Sequence, residues 1–509
     1  MSLGVAPELE EAPADDGPRI LRRTPHLDIP PLKDRFQVRV YTDTEPLREG
    51  EEGEDVVVEG PPEQKRFDVD VWLVAGAPFQ VEGPAIQRLA ILRDQERSAS
   101  VEFTVIRSGP VAGIENVSFS ALFSYQGRPC GRVTRAVAAA DARPANPEDS
   151  GGIRIDAEAT APDLSVRIVR GDDDRSFHCT VQAGDRIETA DWRLSGLAAD
   201  VVRERMARFT AKGVSDKVRT KYLLSSGYDL FEASPKIFRN AFWELIDSGR
   251  PPKTIAIVTE EPYLPWELMA PTRTLSNGES EERAPLGVEF LVSRWTSKSH
   301  IAPPQKVPLR DSWVVAPRDS RLPNAEQEAA MVLEEIPGER IDPVGIETLE
   351  EALERQGRSL LHVICHGKSG AAGSQILVLE KKEELEAGLL RAMPGVKKAF
   401  KSGKPLVFLN ACEVGREEPA LVGIGGFAEQ FMALGASGVI APLWSVKDSV
   451  AHELAVEFYR RLREEPETPF AEILRVLRAR SYAAGGGEDT WAAYCFYGDP
   501  LASRNPARA

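Results

Sequence analysis

The sequence predicts an α/β protein in two parts: an antiparallel, β-rich, sandwich-like N-terminal domain and a C-terminal three-layer αβα sandwich with a mostly parallel sheet. Apolar and polar residues alternate in the first third of the chain, which is typical of strands that bury one face. Short apolar runs alternate with helical patterns in the last third, which favours a parallel sheet covered by helices. A chain of 509 residues is also too long for one compact core and favours about three folding units.

Composition divides the chain into four predicted segments. Residues 1–33 are rich in Pro, Asp and Glu and predict a flexible lead-in. Residues 34–190 form the predicted β-rich domain, and the strands that follow a Pro/Gly/Asp-rich break at 142–152 either complete its sandwich or begin another unit. Residues 191–310 are predicted to be helical and to begin the C-terminal unit, and residues 311–509 to complete it.

Four alternating runs carry the β-rich prediction, and turn-like segments such as Glu49–Asp55 and Gly109–Gly113 separate them. Their apolar positions are Phe36, Val38 and Val40; Phe67, Val69, Val71 and Leu73; Val101, Phe103 and Val105; and Val117, Phe119, Ala121 and Phe123. Since most of these runs have no helical pattern between them, an antiparallel sandwich or barrel is expected.

The C-terminal prediction follows the chain from helical spacing at 198–247, which Pro251 and Pro252 end. The elements expected after it are a strand at Thr254–Val258; a strand at Trp313–Ala316; helices at Ala325–Ile336 and Ile346–Gln356; strands at Leu360–Gly367 and Pro405–Cys412; a helix at Leu421–Leu434; a strand at Gly438–Leu443; and a helix at Ser449–Arg463.

Charge and cysteine content narrow the class of protein. A formal net charge of −16 argues against a nucleic-acid binder, because no basic stripe is available to displace counterions from a phosphate backbone. Five scattered cysteines make a disulfide framework improbable. The acidic N-terminus does not resemble a signal peptide, and no run of 18 apolar residues occurs. We therefore expect a cytosolic protein that binds neither nucleic acid nor membrane.

A histidine and a cysteine lie at the ends of two of the predicted strands. His366 follows one apolar run and Cys412 ends the next, 46 positions later. Reactive groups gather beyond the carboxyl ends of parallel strands. The order and interval are close to the His-then-Cys spacing of about 50 residues found in caspases. This pattern suggests a caspase-like hydrolase, although both residues could also be packing residues at strand ends.

The chemistry of amide hydrolysis suits this pair. A thiol attacks an amide as its thiolate, and an imidazole can both promote that ionisation and protonate the leaving amine. We predict these roles for Cys412 and His366. The tetrahedral intermediate needs hydrogen-bond donors, and the backbone N–H groups of Gly367 and Cys412 are the candidates for an oxyanion hole.

Several ordered motifs between about Arg250 and Pro500 resemble the CHAT family, bacterial relatives of caspases and separases among the cysteine peptidases. They are Leu264-Pro265-Trp266-Glu267-Leu268; His362–Gly367; Leu409–Glu413; Gly423–Phe427; Gly435–Leu443 with Trp444–Asp448; Phe458–Leu462; Trp491–Tyr494; and Tyr497–Pro500. The resemblance implies that His366 and Cys412 are the catalytic dyad. It also implies that 191–310 is the pseudo-caspase-like first part of the CHAT region and 311–509 the caspase-like catalytic subdomain.

Three further residues are candidates for substrate binding. Asn410 lies two positions before Cys412, where caspase-like and legumain-like peptidases place a residue that lines the pocket for the side chain before the cut. Its neutral amide implies no charge preference. Trp444 and Asp448 follow the next strand and could border the cleft, or they could be a core aromatic residue and a helix cap.

Two other interpretations of these residues are less favoured. A zinc site built from His362, Cys365, His366 and Cys412 is disfavoured, because residue 365 of a strand faces away from residues 362 and 366. The glycines at 423–426 superficially resemble a dinucleotide loop, but no strand directly precedes them. We therefore expect no metal and no cofactor, and we interpret the glycines as loop geometry near the site.

The expected function is that of a cytosolic cysteine endopeptidase that acts on a protein substrate. The β-rich N-terminal domain contains no chemical motif of its own, so we expect it to recruit a regulatory partner or to hold the peptidase inactive until a signal arrives. The alternatives are a catalytically inactive scaffold for protein interactions and an amidase that acts on small molecules.

Overall fold

A computed structural model describes most of the chain. The described residues are 19–48, 51–109, 116–138, 153–171, 173–198, 200–202, 204, 215–261, 263–296, 302–369, 375–412, 426–443, 446, 448–485 and 493–505.

The N-terminal region consists of strands. They are β1 (Arg19–Asp28), β2 (Arg35–Asp43), β3 (Glu51–Glu54), β4 (Val56–Gly60), β5 (Arg66–Ala75), β6 (Phe79–Glu82), β7 (Ile86–Leu92), β8 (Val101–Arg107), β9 (Asn116–Tyr125), β10 (Arg128–Ala138) and β11 (Ile153–Asp156). They form a six-stranded sheet in the order β11-β4-β1-β2-β8-β6 and a five-stranded sheet in the order β3-β10-β9-β5-β7. Every pairing except the parallel β11–β4 pair is antiparallel.

The alternating residues of these two sheets share one core. Val38, Phe67, Phe103 and Phe119 are buried in a single apolar cluster with residues from both sheets. Period-two alternation places them on inward faces, as a half-buried strand requires. The predicted β-rich N-terminal region is confirmed.

The C-terminal region mixes helices with strands. Its strands are β12 (Leu164–Arg170), β13 (Ser176–Ala183), β14 (Arg186–Arg193), β15 (Thr254–Thr259), β16 (Thr272–Thr274), β17 (Ser280–Glu282), β18 (Leu291–Trp295), β19 (Lys306–Pro308), β20 (Ser312–Val315), β21 (Gly338–Ile341), β22 (Leu360–Ser369), β23 (Gln375–Val378), β24 (Glu384–Glu386), β25 (Leu406–Cys412), β26 (Gly438–Pro442), β27 (Tyr494–Tyr497) and β28 (Ser503–Asn505). Its helices are α1 (Asp216–Ala233), α2 (Lys236–Asp247), α3 (Leu286–Glu289), α4 (Ala325–Glu335), α5 (Ile346–Arg355), α6 (Pro394–Gly403), α7 (Phe427–Leu434), α8 (Asp448–Glu464) and α9 (Phe470–Ala483). No helix in the described part of the chain is long and apolar enough to cross a bilayer.

A mixed 13-stranded sheet forms the centre of this region. Its main path runs β14-β13-β12-β15-β18-β27-β26-β25-β22-β20-β21, with β23 and β24 attached at β22. The strands from β26 to β21 are mutually parallel, and the antiparallel β26–β27 pair joins them to a second parallel group. Apolar runs such as Leu406–Leu409 are buried throughout, as expected for a parallel sheet covered on its faces.

The structure differs from the predicted segments at two places. Strand β1 lies within the stretch 1–33, where we expected a flexible lead-in, because its residues pair with β2 and β4. The strands at 164–193 join the large sheet through the parallel pairing of β12 with β15, rather than the N-terminal sandwich. The alternation of apolar and polar residues predicts a strand, but it does not specify which sheet that strand joins. The predicted helix at 421–434 begins at Phe427 among the described residues.

A buried ion pair joins the N-terminal sandwich to the segment that follows β27, a central strand of the large sheet. Arg128 of β10 lies 2.7 Å from a carboxylate oxygen of Asp499, and the two side chains are 7% and 3% exposed. Arg128 also donates a hydrogen bond to the carbonyl oxygen of Pro303. The neighbouring Ala302 packs into the apolar core of the sandwich. The two regions therefore share both a polar and an apolar contact.

The Trp-Glu-Leu segment at 266–268 has a structural role. Glu267 is fully buried, and its Oε1 accepts a hydrogen bond of 2.9 Å from Nε of Arg294, a fully buried residue of β18. Burial alone would raise the pKa of Glu267, but the charge of Arg294 and its hydrogen bonds hold that pKa below the ordinary value. Trp266 packs against Phe238 of α2 with ring centroids 5.3 Å apart. This segment therefore holds a helix and a strand of the first half of the sheet together.

We expect Glu267→Ala to lower the free energy of unfolding by about 3–5 kcal/mol, because the substitution leaves the buried guanidinium of Arg294 without its counter-charge. Urea unfolding followed by tryptophan fluorescence measures the loss. Asp247→Ala is the matched control, because Asp247 makes an equally close pair with Arg273 at the surface. Its loss should be much smaller. Equal losses in the two variants would contradict a stabilising role for the buried pair.

Candidate functional site

The positions of the two predicted catalytic residues are paired where the parallel ladder between two neighbouring strands ends. β22 and β25 run parallel, and their facing residues continue in register from Leu360 and Leu406 to His366 and Cys412. Adjacent strands lie about 4.8 Å apart. Residues separated by 46 positions in the sequence are therefore brought to adjacent register positions at the carboxyl edge of the sheet.

The imidazole of His366 is held by a backbone carbonyl group. Its Nε2 lies 2.5 Å from the carbonyl oxygen of Ser320, in the segment between β20 and α4. The next residue, Arg321, has φ of 58°, in the left-handed region that few residues other than glycine adopt. Because a carbonyl oxygen only accepts hydrogen bonds, Nε2 must carry the hydrogen. In the neutral ring, Nδ1 is then the nitrogen that can take up a proton.

Gly367 is a buried residue of β22 and faces Leu377 of β23. A Cβ atom added at Gly367 would lie 3.4 Å from Cβ of Ala411, which is close to an ordinary contact. Packing against β25 therefore does not require glycine here. The oxyanion roles of the Gly367 and Cys412 N–H groups stay predictions.

Asn410 belongs to a buried hydrogen-bond network. Its side-chain Nδ2 donates to Oε1 of Glu328 at 2.7 Å, and its Oδ1 accepts a hydrogen bond of 2.5 Å from the hydroxyl group of Tyr494. Asn410 is 2% exposed. Both ends of its amide are bound within the protein, so these contacts do not favour the predicted role as a pocket wall, which stays untested.

His362 belongs to the same network. Its Nε2 lies 2.8 Å from Oε1 of Glu328, and its Nδ1 lies 2.9 Å from the hydroxyl group of Tyr459. The ring is fully buried. Burial, together with the negative charge of Glu328, holds the pKa of Tyr459 well above its ordinary value, so this hydroxyl group stays protonated. Both nitrogens of His362 are therefore bound within the protein, and the catalytic role of His366 stays a prediction.

Only one of the remaining two candidates, Asp448, lies among the described residues. Trp444 lies outside them. Asp448 begins α8, and its Oδ2 accepts hydrogen bonds from the side-chain and backbone nitrogens of Asn324 at 2.7 and 3.2 Å. Asn324 immediately precedes α4. The carboxylate of Asp448 thus connects the starts of two helices, and its predicted contact with substrate stays untested.

Gly426 allows a side chain to cap α7. The backbone N–H of Phe427 donates to Oε1 of Gln375 at 2.9 Å. A Cβ atom on Gly426 would lie only 1.7 Å from that oxygen, so a larger residue would displace Gln375. This explains Gly426 as loop geometry, and the other two glycines of the cluster, Gly423 and Gly425, lie outside the described residues.

The thiol of Cys365 lies in an environment that suppresses reactivity. Cys365 is fully buried, and burial raises the pKa of its thiol to about 12. Among the described residues, no group of three or more His, Cys, Asp or Glu side chains is arranged to hold a metal ion.

Sequence reasoning missed Ser320 and Glu328. Ser320 contributes only a backbone carbonyl group, for which no sequence pattern exists. Glu328 carries a signal, because it lies on the apolar face of α4 with Ala325, Ala329 and Val332. A lone acid at helical spacing among core residues is rarely buried unless it has partners, and it therefore marks a buried polar contact.

The comparisons with known proteins agree with the resemblance to the CHAT family. The family model of the CHAT domain matches residues 258–499. No curated protein matches the sequence of this chain. Residues 258–499 are therefore similar to the CHAT domain, and the match supports a relationship to caspase-like peptidases.

Three solved structures resemble the chain at low identity. A structure described as a protease has 13% identity and a TM-score of 0.37, with 57% of this chain and 70% of that chain covered. Separase from Saccharomyces cerevisiae, in a complex with securin, has 13% identity and a TM-score of 0.39, with 66% and 30% covered. RgpB of Porphyromonas gingivalis, in a complex of its pro- and mature domains, has 12% identity and a TM-score of 0.34, with 60% and 77% covered. This chain therefore spans less than a third of the separase chain.

We expect Asn410→Ala to lower the free energy of unfolding by about 1–3 kcal/mol, because it leaves the Tyr494 hydroxyl group and the Glu328 carboxylate with fewer partners in a buried site. Urea unfolding measures the loss. Asn277→Ala is the control, because Asn277 is exposed and bonds only locally to Glu279. If Asn410→Ala were as stable as this control and instead changed the preferred peptide sequence, Asn410 would be a pocket residue after all.

Proposed function

We propose that this protein is a cytosolic, caspase-like cysteine endopeptidase that cleaves protein substrates with a dyad of Cys412 and His366. The three-layer αβα arrangement of the C-terminal unit belongs to the same proposal. The observation that carries it is the register of β22 and β25, which pairs the positions of these two residues at the carboxyl edge of a parallel sheet. The match of 258–499 to the CHAT domain supports it independently.

The proposed reaction proceeds through a thioester. The Cys412 thiolate attacks the carbonyl carbon of the peptide bond, and the electron pair of the C=O bond moves to oxygen, which the N–H groups of Gly367 and Cys412 stabilise. As the C–O double bond re-forms, the C–N bond breaks and the imidazolium of His366 gives its proton to the leaving amine. Water then attacks the thioester carbon while His366 takes up one of the protons of that water, the C–S bond breaks, and the carboxylic acid leaves the Cys412 thiolate beside the His366 imidazolium.

The contact between His366 and Ser320 supports the assignment of the proton. With Nε2–H donating to the Ser320 carbonyl oxygen, Nδ1 is the nitrogen that exchanges a proton with the thiol and the leaving amine.

We expect Cys412→Ala to abolish peptide cleavage and His366→Ala to lower kcat by about 10²–10⁴-fold, because each variant removes one half of the dyad. A diverse peptide library, analysed by mass spectrometry with and without candidate activators, measures cleavage. Cys365→Ala is the matched control, since it removes a neighbouring buried thiol and should retain activity. Absence of Cys412-dependent cleavage under every activating condition would contradict the proposal and favour a scaffold. Cys412-dependent hydrolysis confined to small amides would favour an amidase.

We further propose that the N-terminal sandwich restrains the peptidase and is the region that a regulatory partner engages. Its support is the buried Arg128–Asp499 pair, since Asp499 lies two residues after the end of β27. β27 begins at Tyr494, whose hydroxyl group bonds to Asn410, two residues before Cys412. A change in docking of the sandwich would therefore act on a strand that contacts the site.

We expect Arg128→Ala to raise basal peptidase activity by about 5-fold or more without an activator, because it removes the polar contact that holds the sandwich against β27. Arg39→Ala is the matched control, since Arg39 pairs with Glu102 at the exposed surface of the same sandwich. Initial rates of peptide cleavage measure the effect. Equal rates for wild type and both variants would contradict the restraint. A point variant is preferable to truncation near residue 200, which would remove β12, β13 and β14 from the central sheet.

A further inference from the structure

A buried carboxylate connects the two strands that carry the proposed dyad. Oε1 of Glu328, on α4, accepts hydrogen bonds from His362 at 2.8 Å and from Asn410 at 2.7 Å. His362 lies on β22 four residues before His366, and Asn410 lies on β25 two residues before Cys412. One oxygen atom thus bonds to both strands, a few residues before His366 on one and before Cys412 on the other.

Other elements complete the surroundings of this carboxylate. From α8, the Tyr459 hydroxyl group lies 2.9 Å from His362, and Nδ1 of His452 lies 3.4 Å from the second carboxylate oxygen. From β27, the Tyr494 hydroxyl group donates to Asn410. The Glu328 side chain is 2% exposed and that of His452 is 12% exposed. Three strands and two helices therefore meet around one acidic group.

We propose that Glu328 is a positioning residue, which fixes the relative placement of His366 and Cys412 by bonding to the strands on which they lie. The inference rests on the proposed function, because it concerns the same dyad. A buried carboxylate keeps its partners close, since an unpaired charge or donor in the interior is costly. A small error in the placement of reacting groups lowers the rate strongly while leaving the fold intact.

A purely structural role and a positioning role for Glu328 predict different effects when this residue is replaced. Loss of a stabilising contact lowers the melting temperature but leaves the chemistry of the folded molecules unchanged. Loss of a positioning contact changes the folded enzyme itself, because the imidazole no longer favours the Cys412 thiolate. The ionisation of Cys412 then returns toward that of an ordinary thiol, with a pKa of about 8.5.

The experiment compares Glu328→Gln with Glu334→Gln in the full-length protein. Glu334 is an exposed residue of the same helix, so the two variants lose the same charge and keep the same side-chain size. The readouts are kcat and KM for peptide cleavage, the melting temperature, and the rate of Cys412 alkylation by iodoacetamide between pH 5 and about 9. Mass spectrometry assigns alkylation to Cys412. The other four thiols, Cys130, Cys179, Cys365 and Cys495, are buried, and burial raises their pKa values.

We expect Glu328→Gln to lower kcat by about 10- to 100-fold with little change in KM, and to move the midpoint of Cys412 alkylation toward about 8.5. Glu334→Gln should match wild type in all readouts. A folded Glu328→Gln variant with the kcat and alkylation profile of Glu334→Gln would overturn the inference, even if it melts at a lower temperature.

Tyr494→Phe provides the test if Glu328→Gln does not fold, because it removes only the hydroxyl group that bonds to Asn410. It should shift kcat and the alkylation midpoint in the same direction by a smaller factor, and unchanged values would overturn the inference. A wild-type protein that shows no Cys412-dependent cleavage contradicts the proposed function instead. The alkylation midpoints of the variants then still decide the inference about Glu328.

Discussion

The parallel pairing of β22 with β25 is the constraint on which the candidate site depends. Each strand lies inside the sheet, with β20 and β26 as the outer neighbours, so neither can move without breaking two ladders of hydrogen bonds. Side chains alternate between faces, so a shift of one residue would turn the buried apolar set of either strand to the wrong side. The cost of exposing Leu406–Leu409 therefore also fixes the position of Cys412 relative to His366.

Buried charges strengthen this arrangement at two separate places. The Glu267–Arg294 pair lies in the half of the sheet that carries β15 and β18, and Glu328 lies beside β22 and β25. Replacing such groups by apolar residues of the same size often costs little stability, whereas removing one partner costs a great deal. We infer that these groups specify one arrangement of strands, and the proposed positioning role of Glu328 would give that arrangement a use at the candidate dyad.

The sequence predicted the positions of the strands well, but it predicted less well which strands pair with one another. Alternation identified the inward residues of the sandwich, and apolar runs identified β22 and β25 with their polar ends. Alternation did not assign β12–β14 to the large sheet, because pairing of strand edges depends on backbone contacts between distant segments. The hydrogen bond that His366 donates to the carbonyl oxygen of Ser320 could not be predicted either, because every residue has such a carbonyl group. Glu328 could have been recognised as a lone acid on an apolar helix face, although its partners could not.

If His366 and Cys412 form a catalytic dyad, His366 changes the ionisation of Cys412, and the pH dependence of Cys412 alkylation in wild type and His366→Ala tests this most directly. An imidazolium beside the thiol stabilises the thiolate. Wild type should therefore react with a midpoint well below the ordinary thiol value of about 8.5, and His366→Ala should return the midpoint to about that value. Identical profiles in the two folded proteins would contradict the claim that these two strand ends form a catalytic dyad.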